Sequence, residues 1–220
     1  MTWSTDGLGT ECFPVTRALR RFRFLLKCIR FDDVMSRQQR RKNDKLAAIR
    51  DLMDTFNENC KKNYCVGEFV TLDEMLLSIR GRCSFRMYIP SKPCKYGIKV
   101  FALADAKIYY AYNLEIYCGK QPEGQYENVS FKPDDVVERM CHPISGGGRN
   151  LTIDIWFTSY HIMKKMKHEH NIAIVGTVRK NKKKLPPRFV VAAKVNLVAV
   201  CLVSRRKLLV CLTCRKKVKQ

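Results

Sequence analysis

The sequence has few acidic residues and no long uninterrupted apolar run. Asp and Glu together number 20 against 42 Lys and Arg, which leaves a formal net charge of +22 over 220 residues. The longest apolar stretch, residues 189–203, is interrupted by Lys194 and Asn196 and is too short to cross a bilayer. Residues 1–16 show no charged start followed by an apolar segment, so no secretory signal is expected. These absences favour the cytosol or the nucleus.

The excess of positive charge predicts a polyanionic partner. Self-repulsion on this scale is relieved by phosphate groups, so nucleic acid is the first interpretation. The alternative is a ribosome-associated or merely solvated basic surface.

The 11 cysteines raise the questions of disulfides and zinc. Without a secretory signal, a reduced intracellular protein is expected. Cys211 and Cys214 form one CxxC pair, but no second ligand pair follows it, and the group His168, Glu169 and His170 does not match a zinc-finger spacing. The sequence therefore predicts no structural zinc, and most of the thiols are interpreted as small core residues.

Residues 1–66 show helical patterns rich in basic side chains. Apolar residues near helical spacing, with Arg and Lys between them, predict an amphipathic helix over residues 13–31. Residues 35–43 are basic without an apolar period, which predicts an exposed connection that could contact phosphate. Asp44 is expected to cap a second helix, whose apolar face would include Leu46 and Phe56. We assign this part as a basic helical segment.

From residue 67 the pattern changes from helix to strand. Five strands are predicted over residues 69–77, 98–103, 109–117, 150–157 and 171–178, and two helices over 134–140 and 159–167. Three strands followed by helix, strand, helix and strand predict an α+β, or mixed α/β, fold: a mixed five-stranded sheet with helices on its faces.

Two aspartates lie inside predicted apolar strands, Asp73 in the first and Asp154 in the fourth. An ionised carboxylate tolerates such a position if a cation or several donors meet it, so neighbouring strands would bring both to one metal. Mg²⁺ prefers oxygen ligands, and a pair of such ions can promote phosphodiester cleavage. The alternative is that both are simply hydrogen-bonded at strand ends. Asp105, also at a strand end, is interpreted as a turn residue.

Two groups of basic residues are candidates for DNA binding. The first lies between two predicted strands and the second in a later loop; they comprise Arg80, Arg82, Arg86, Lys92, Lys95 and Lys99, and then Arg179, Lys180, Lys182, Lys183 and Lys184. Such groups would contact phosphate, unless some pair with Asp and Glu across the hairpin that the strands over 98–103 and 109–117 suggest. Tyr88 and Tyr96 are expected to pack against the hairpin rather than to stack on bases.

The segments that contain the two aspartates resemble the piggyBac transposase family. The matching motifs are TLDEM at 71–75, RGR at 80–82, FRMYIP at 85–90 and KP with KYGIK at 92–99, then NLTID with WFTS at 150–159 and IVGTVRKNK at 174–182. The resemblance extends upstream to residues 3–5 and 30–33, and it covers the chain up to about residue 190.

The resemblance implies a DDE-type recombinase with an RNase H-like sheet, in which three aspartates bind two divalent ions, Mg²⁺ or Mn²⁺, and DNA is cut and rejoined at TTAA sites. Asp73 and Asp154 match the first two aspartates. The third, and a Cys-rich zinc-binding tail, would lie beyond residue 220. Residues 67–188 are therefore assigned as an incomplete RNase H-like core and residues 189–220 as a divergent basic tail. The resemblance also implies that the loop containing Arg179, Lys182 and Lys183 meets DNA near the active site.

Two functions, and the possibility of no function, follow from the sequence. The first is a nuclear, transposase-derived DNA-binding protein that could form a homodimer. Its catalytic activity would be impaired, because losing one member of a catalytic set removes most of the rate. The alternative is an active metal-dependent transposase or nuclease completed by a partner chain. The third is the translation of a decayed element.

Overall fold

The structure, a computed structural model, describes residue 3, residues 12–178, and the backbone of residues 198–203 and 208–213. Helices come first, and a sheet with inserted helices follows. The α-helices of this part are α1 (Cys12–Thr16), α2 (Leu19–Cys28), α3 (Val34–Arg40), α4 (Arg50–Asn63), α5 (Pro133–Cys141) and α6 (Tyr160–Glu169). A 3₁₀ turn, His142–Ile144, follows α5. None of the helices described is long and apolar enough to span a membrane.

Eight strands form one mixed sheet. They are β1 (Phe69–Ser78), β2 (Met87–Tyr88), β3 (Tyr96–Asp105), β4 (Ala111–Ile116), β5 (Asn150–Ile153), β6 (Ala173–Val178), β7 (Val198–Val203) and β8 (Leu208–Thr213). The order is β2-β3-β1-β5-β6-β7-β8, and β4 also pairs with β3. β3 runs antiparallel to β1 and β4, whereas β5 runs parallel to both β1 and β6. The predicted mixed fold is confirmed: all five predicted strands form, and β2, β7 and β8 extend the sheet.

Helices α5 and α6 cover one face of the sheet, which we call the covered face. Alternation along each strand sends every second side chain to this face. The resulting core is almost inaccessible to solvent, and it includes Val70, Leu72, Phe101, Leu103, Leu151 and Ile174 from the strands and Val137, Met140, Ile162 and Met166 from the helices. Both helices begin with favourable residues, since Pro133 opens α5 and the Ser159 hydroxyl accepts a hydrogen bond from the Ile162 amide of α6.

The opposite face, which we call the open face, is covered over part of its width. Leu46 and α4 pack over β3 and β4, where Val100 and Ile116 are buried. Asn57 fixes this helix to β4, because its amide donates to the Leu114 carbonyl and accepts from the Leu114 amide, both at 2.8 Å. On β1, by contrast, the open-face side chains are exposed: Phe69 to 44%, Met75 to 37% and Leu77 to 52%.

The N-terminal helices differ from the sequence prediction. The single helix predicted over residues 13–31 is two helices, because Ala18 is extended and the Trp3 indole donates to the Arg17 carbonyl at 2.8 Å. The connection predicted over residues 35–43 contains α3. Asp33 makes this helix possible, since its carboxylate accepts hydrogen bonds from the Met35 and Ser36 amides. Capping by Asp33 thus allows a helix to form in a segment that lacks an apolar period.

The sequence predicted that Asp44 would cap a helix. It does not, and α4 begins at Arg50. The Asp44 carboxylate instead stabilises a turn, where it accepts from the Leu46 amide at 2.9 Å and pairs with Arg50 at 2.8 Å. Burial raises the pKa of Asp44, but the hydrogen bonds from Arg50 and Leu46 outweigh it and hold the pKa below its ordinary value. Phe56, expected on the apolar face of the predicted helix, is exposed, and so is Leu52.

The interpretation of most thiols as core residues is also wrong for the part of the chain described. Cys60, Cys118 and Cys141 are buried, whereas Cys12, Cys28, Cys65 and Cys94 are exposed. Cys141 is fully enclosed beneath the sheet, and burial raises its pKa to about 12. Cys211 and Cys214 lie outside the residues whose side chains are described.

Candidate metal and nucleic-acid site

Asp73 and Asp154 lie beside each other on neighbouring parallel strands. Leu72 of β1 is paired with Ile153 of β5, and each aspartate follows its paired residue by one position. Neighbouring strands are about 4.8 Å apart, so the two backbones are adjacent at this level. Alternation turns Asp73 away from the buried Leu72 and towards the open face. Asp154 directly follows the buried Ile153, the last residue of β5.

Both aspartates are exposed to solvent, although the sequence had placed them inside apolar strands. The predicted strand over 150–157 ends at Ile153, and Asp154 begins a turn in which its carbonyl accepts from the Phe157 and Thr158 amides, each at 3.1 Å. Strand β1 forms as predicted, but its open face leaves Asp73 in water, where its charge needs no compensating cation. Two exposed aspartates on neighbouring backbones still suit Mg²⁺, which takes few protein ligands and keeps its waters.

Glu74, next to Asp73, points to the covered face and into a group of cations and aromatic rings. Lys92 lies 3.6 Å from its carboxylate and also donates to its backbone carbonyl at 3.2 Å. Lys99 lies over the Trp156 ring, 4.4 Å from its centroid, and 5.0 Å from that of Phe101. Burial lowers the pKa of Lys99, although Glu74 raises it. Lys92 and Lys99, predicted DNA contacts, are thus engaged inside the fold.

Four arginines surround one cavity in the segment that follows β1. The cavity has a volume of about 450 Å³, and its lining consists of Arg41, Arg80, Gly81, Arg82, Cys83, Ser84 and Arg86. We call it the arginine cavity. None of the four guanidinium groups forms an ion pair with a carboxylate in the described ranges. Arg41, at the end of α3, comes from the basic stretch that the sequence had suggested as a phosphate contact.

Tyr88 and Tyr96 contact each other at the edge of the sheet, with their ring planes tilted by 41°. They are paired residues of β2 and β3, with ring centroids 4.8 Å apart, and Arg86 lies 5.3 Å from the Tyr96 ring centroid. Each ring is about half exposed. The two rings contact each other across β2 and β3, with Arg86 beside them, and their packing against the predicted hairpin of β3 and β4 stays a prediction. Lys95 is exposed in the connection between β2 and β3, whereas Arg179, Lys180, Lys182 and Lys183 lie outside the described residues.

Asp105 is a turn residue, as the sequence predicted. Its carboxylate accepts hydrogen bonds from the Gly67 and Lys107 amides at 2.8 Å and from the Tyr64 hydroxyl at 3.0 Å. The backbone donors Gly67 and Lys107 lower the pKa of Asp105 to about 2. It therefore joins the start of β1 to the end of β3.

One group with three possible metal ligands is found among the described residues, and it does not include Asp73 or Asp154. It comprises Glu138, Glu169 and His170, and one ligand atom from each lies within 4.8 Å of the others. Glu169 and His170 are adjacent in the sequence, but their spacing had argued against a zinc finger. Glu138 comes from a different helix, so spacing along the chain gave no signal for it.

Comparison with known proteins places this geometry in a family. The family model described as Transposase IS4 matches residues 1–220. The human piggyBac transposable element-derived protein 3 is 27% identical over 143 residues, which cover 63% of this chain and 23% of that protein. The human chimeric ERCC6-PGBD3 protein is also 27% identical over 143 residues, covering 13% of its length. The chain thus spans less than a quarter of these relatives.

A solved structure shares the fold. The cryo-EM structure of the piggyBac transposase synaptic complex with hairpin DNA superimposes with a TM-score of 0.71 and 34% sequence identity, covering 91% of this chain and 44% of that one. The chain belongs to the Transposase IS4 family and, within it, to the piggyBac-type transposases.

Proposed function

We propose that this piggyBac-type chain binds DNA through the arginine cavity and the exposed basic side chains around it. The carrying observation is the convergence of Arg41, Arg80, Arg82 and Arg86 on one cavity of about 450 Å³. Like charges that line one cavity repel one another, and an anion among them would relieve this repulsion. Phosphate is the anion that planar guanidinium groups contact best, through paired hydrogen bonds.

Two further observations support this proposal. The chain carries a net charge of +22, so the attraction to a polyanion extends beyond one cavity. The solved structure that it resembles is a transposase complex with hairpin DNA. Apart from Arg41, the residues that line the arginine cavity lie in the segment between β1 and β2, directly after the strand that carries Asp73.

Fluorescence anisotropy with a labelled duplex tests the DNA-binding proposal. The double variant Arg82→Ala with Arg86→Ala should bind more weakly, and the salt slope should fall by about 1 for each phosphate that the protein no longer neutralises. Lys164→Ala, an exposed change on α6 outside the arginine cavity, is the matched control. An unchanged affinity and slope in the double variant would refute the cavity as the binding site. Comparing TTAA and scrambled duplexes then reports sequence preference.

A second function, metal-dependent DNA cleavage, is favoured by the register between β1 and β5. That register places Asp73 and Asp154, both exposed, on neighbouring backbones. Their carboxylate oxygens, together with substrate phosphate, could hold Mg²⁺ or Mn²⁺. The bound ions would activate the attacking water or hydroxyl. The protein's own residues would hold the ions, and the arginine cavity would position the DNA.

A plasmid-nicking assay with Mg²⁺ or Mn²⁺ separates the two functions. If the chain is active, Asp73→Asn and Asp154→Asn should each abolish nicking while DNA affinity is retained, because neither residue lines the arginine cavity. Glu68→Gln, which removes one carboxylate just before β1, is the control. Absence of nicking by the parent chain, with DNA binding intact, would leave a binding protein without chemistry. Light scattering with and without DNA would test for a homodimer.

A further inference from the structure

A histidine and two glutamates meet between the two helices of the covered face. Glu138 lies in α5, Glu169 is the last residue of α6, and His170 follows it directly. Their possible ligand atoms are within 4.8 Å of one another. Glu138 Oε1 is 3.9 Å from His170 Nε2, which is too long for a hydrogen bond.

His170 is the observation that points to a ligand. The residue is 9% exposed, and its Nε2 makes no hydrogen bond to any group in the described part of the chain. Its Nδ1 lies 3.0 Å from the Ser145 hydroxyl. With Nδ1 protonated and donating to Ser145, the lone pair of Nε2 is directed at the glutamates, which is the arrangement found for histidines that bind metals. A buried polar atom left unpaired otherwise costs free energy.

Lys165 orients the glutamates. Its ammonium donates to Glu138 Oε2 at 2.7 Å and lies 4.0 Å from Glu169 Oε2. The contact with Oε2 leaves Glu138 Oε1 facing His170. Glu169 stands at the C-terminal end of α6, where the helix dipole disfavours a negative charge and a cation would stabilise it. Glu169 is also exposed, so an ion can enter from solvent.

We propose that His170 Nε2, Glu138 Oε1 and a Glu169 oxygen bind one zinc ion, with water as the fourth ligand. One imidazole and two carboxylates suit Zn²⁺ better than Mg²⁺, which takes oxygen ligands. Ligands of a tetrahedral zinc are about 3.3 Å apart, given Zn–ligand distances of about 2.0 Å, so a small side-chain movement would close the group. The ion would be distinct from any held by Asp73 and Asp154, which lie on other elements.

Such an ion would fix the end of α6 to α5. The His170 carbonyl already accepts from the Gly146 amide at 2.7 Å, so the site also reaches the turn before β5. The position of β5 determines where Asp154 lies. The zinc would therefore have a structural role near the sheet without contacting DNA or the candidate catalytic aspartates. Zinc was not expected from the sequence, because the ligands come from two helices rather than from a finger motif.

Titration of the purified chain with Co²⁺, followed by displacement with Zn²⁺, tests the proposal. The expected visible spectrum has the d–d bands of nitrogen and oxygen ligands without the thiolate charge-transfer band that cysteine ligands would give. Zn²⁺ should raise the melting temperature, since an ion that binds the folded state stabilises it. His170→Gln and Glu169→Gln should each lower the affinity by at least about tenfold.

His168→Gln is the matched control, because this neighbouring histidine is exposed and outside the ligand group. It should bind Co²⁺ as the parent chain does. Glu169→Gln keeps the test decisive even if His170→Gln fails to fold, since Glu169 is a surface residue. A spectrum dominated by thiolate, an affinity unchanged in Glu169→Gln, or no measurable binding would each overturn the zinc site.

Discussion

The two faces of the sheet are built in different ways. On the covered face, α5 and α6 bury the strand side chains almost completely. On the open face, α4 covers β3 and β4, while β1 leaves Phe69, Met75 and Asp73 accessible. The comparison indicates that the covered face supplies most of the stability, whereas the open face presents side chains that a metal or DNA could reach. This division leads to four predictions, each of which can test it.

The largest loss of stability is expected on the covered face. Ile162→Ala removes a fully buried α6 side chain, and a change of this kind lowers the free energy of unfolding by about 2–5 kcal/mol because it leaves a cavity. Urea denaturation followed by circular dichroism measures it. A loss below about 1 kcal/mol would mean that the two faces do not differ as described.

A smaller loss is expected where the covered face lacks space for a methyl group. A Cβ at Gly176 would lie 2.5 Å from Thr158 Oγ1 and 3.0 Å from Ile153 Cγ1. Gly176→Ala should therefore cost about 1–3 kcal/mol through overpacking. Because the Thr158 hydroxyl donates to the Asp154 carbonyl at 2.8 Å, any nicking activity should fall as well. A stable Gly176→Ala protein would show that β6 can shift without cost.

Asp105, on the covered face, should make the free energy of unfolding depend on pH. Its pKa is lowered from 3.8 to about 2, mainly by the Gly67 and Lys107 amides. A carboxylate with a lower pKa in the folded state stabilises above its unfolded pKa, and this contribution is lost as the pH falls towards about 2. Urea midpoints between pH about 5 and about 2 should fall less steeply for Asp105→Asn than for the parent. Asp51→Asn, a surface change on α4, controls for net charge; equal slopes for Asp105→Asn and the parent would contradict the prediction.

The smallest effect is expected on the open face. Met75→Ala removes a partly exposed side chain of β1, so it should change the free energy of unfolding by about 0.5 kcal/mol or less. The same denaturation experiment measures it beside Ile162→Ala. A loss as large as that of Ile162→Ala would indicate that another segment or chain covers this face.

Elements with strong local patterns could be predicted from the sequence. The five main strands, α5 and α6 all form, because apolar alternation, Pro133 and the Ser159 cap agree with the tertiary packing. The start of α4 and the existence of α3 could not be predicted in this way. They depend on whether Asp44 and Asp33 accept hydrogen bonds within a turn or a helix, and an aspartate suits either role.

Only part of the candidate site could be predicted from the sequence. The motifs identified Asp73 and Asp154, but their exposure depends on which face the helices cover, which a single strand pattern does not reveal. Lys99 was predicted to meet DNA, yet its contact with Trp156 requires the packing of β3 against the turn after β5. Glu138 and His170 meet through the packing of α5 on α6, which is likewise a tertiary event.

The carboxylate of Asp105 also controls strand alignment. By binding the Gly67 amide, it fixes where β1 begins relative to the end of β3, so that Val70 lies opposite Asp105 and Asp73 opposite Ala102. A slip of one residue would exchange the two faces of β1, directing Glu74 to solvent and Asp73 beneath the helices. A single buried acid more than 30 residues away in sequence thus determines which neighbouring carboxylate a metal ion could reach.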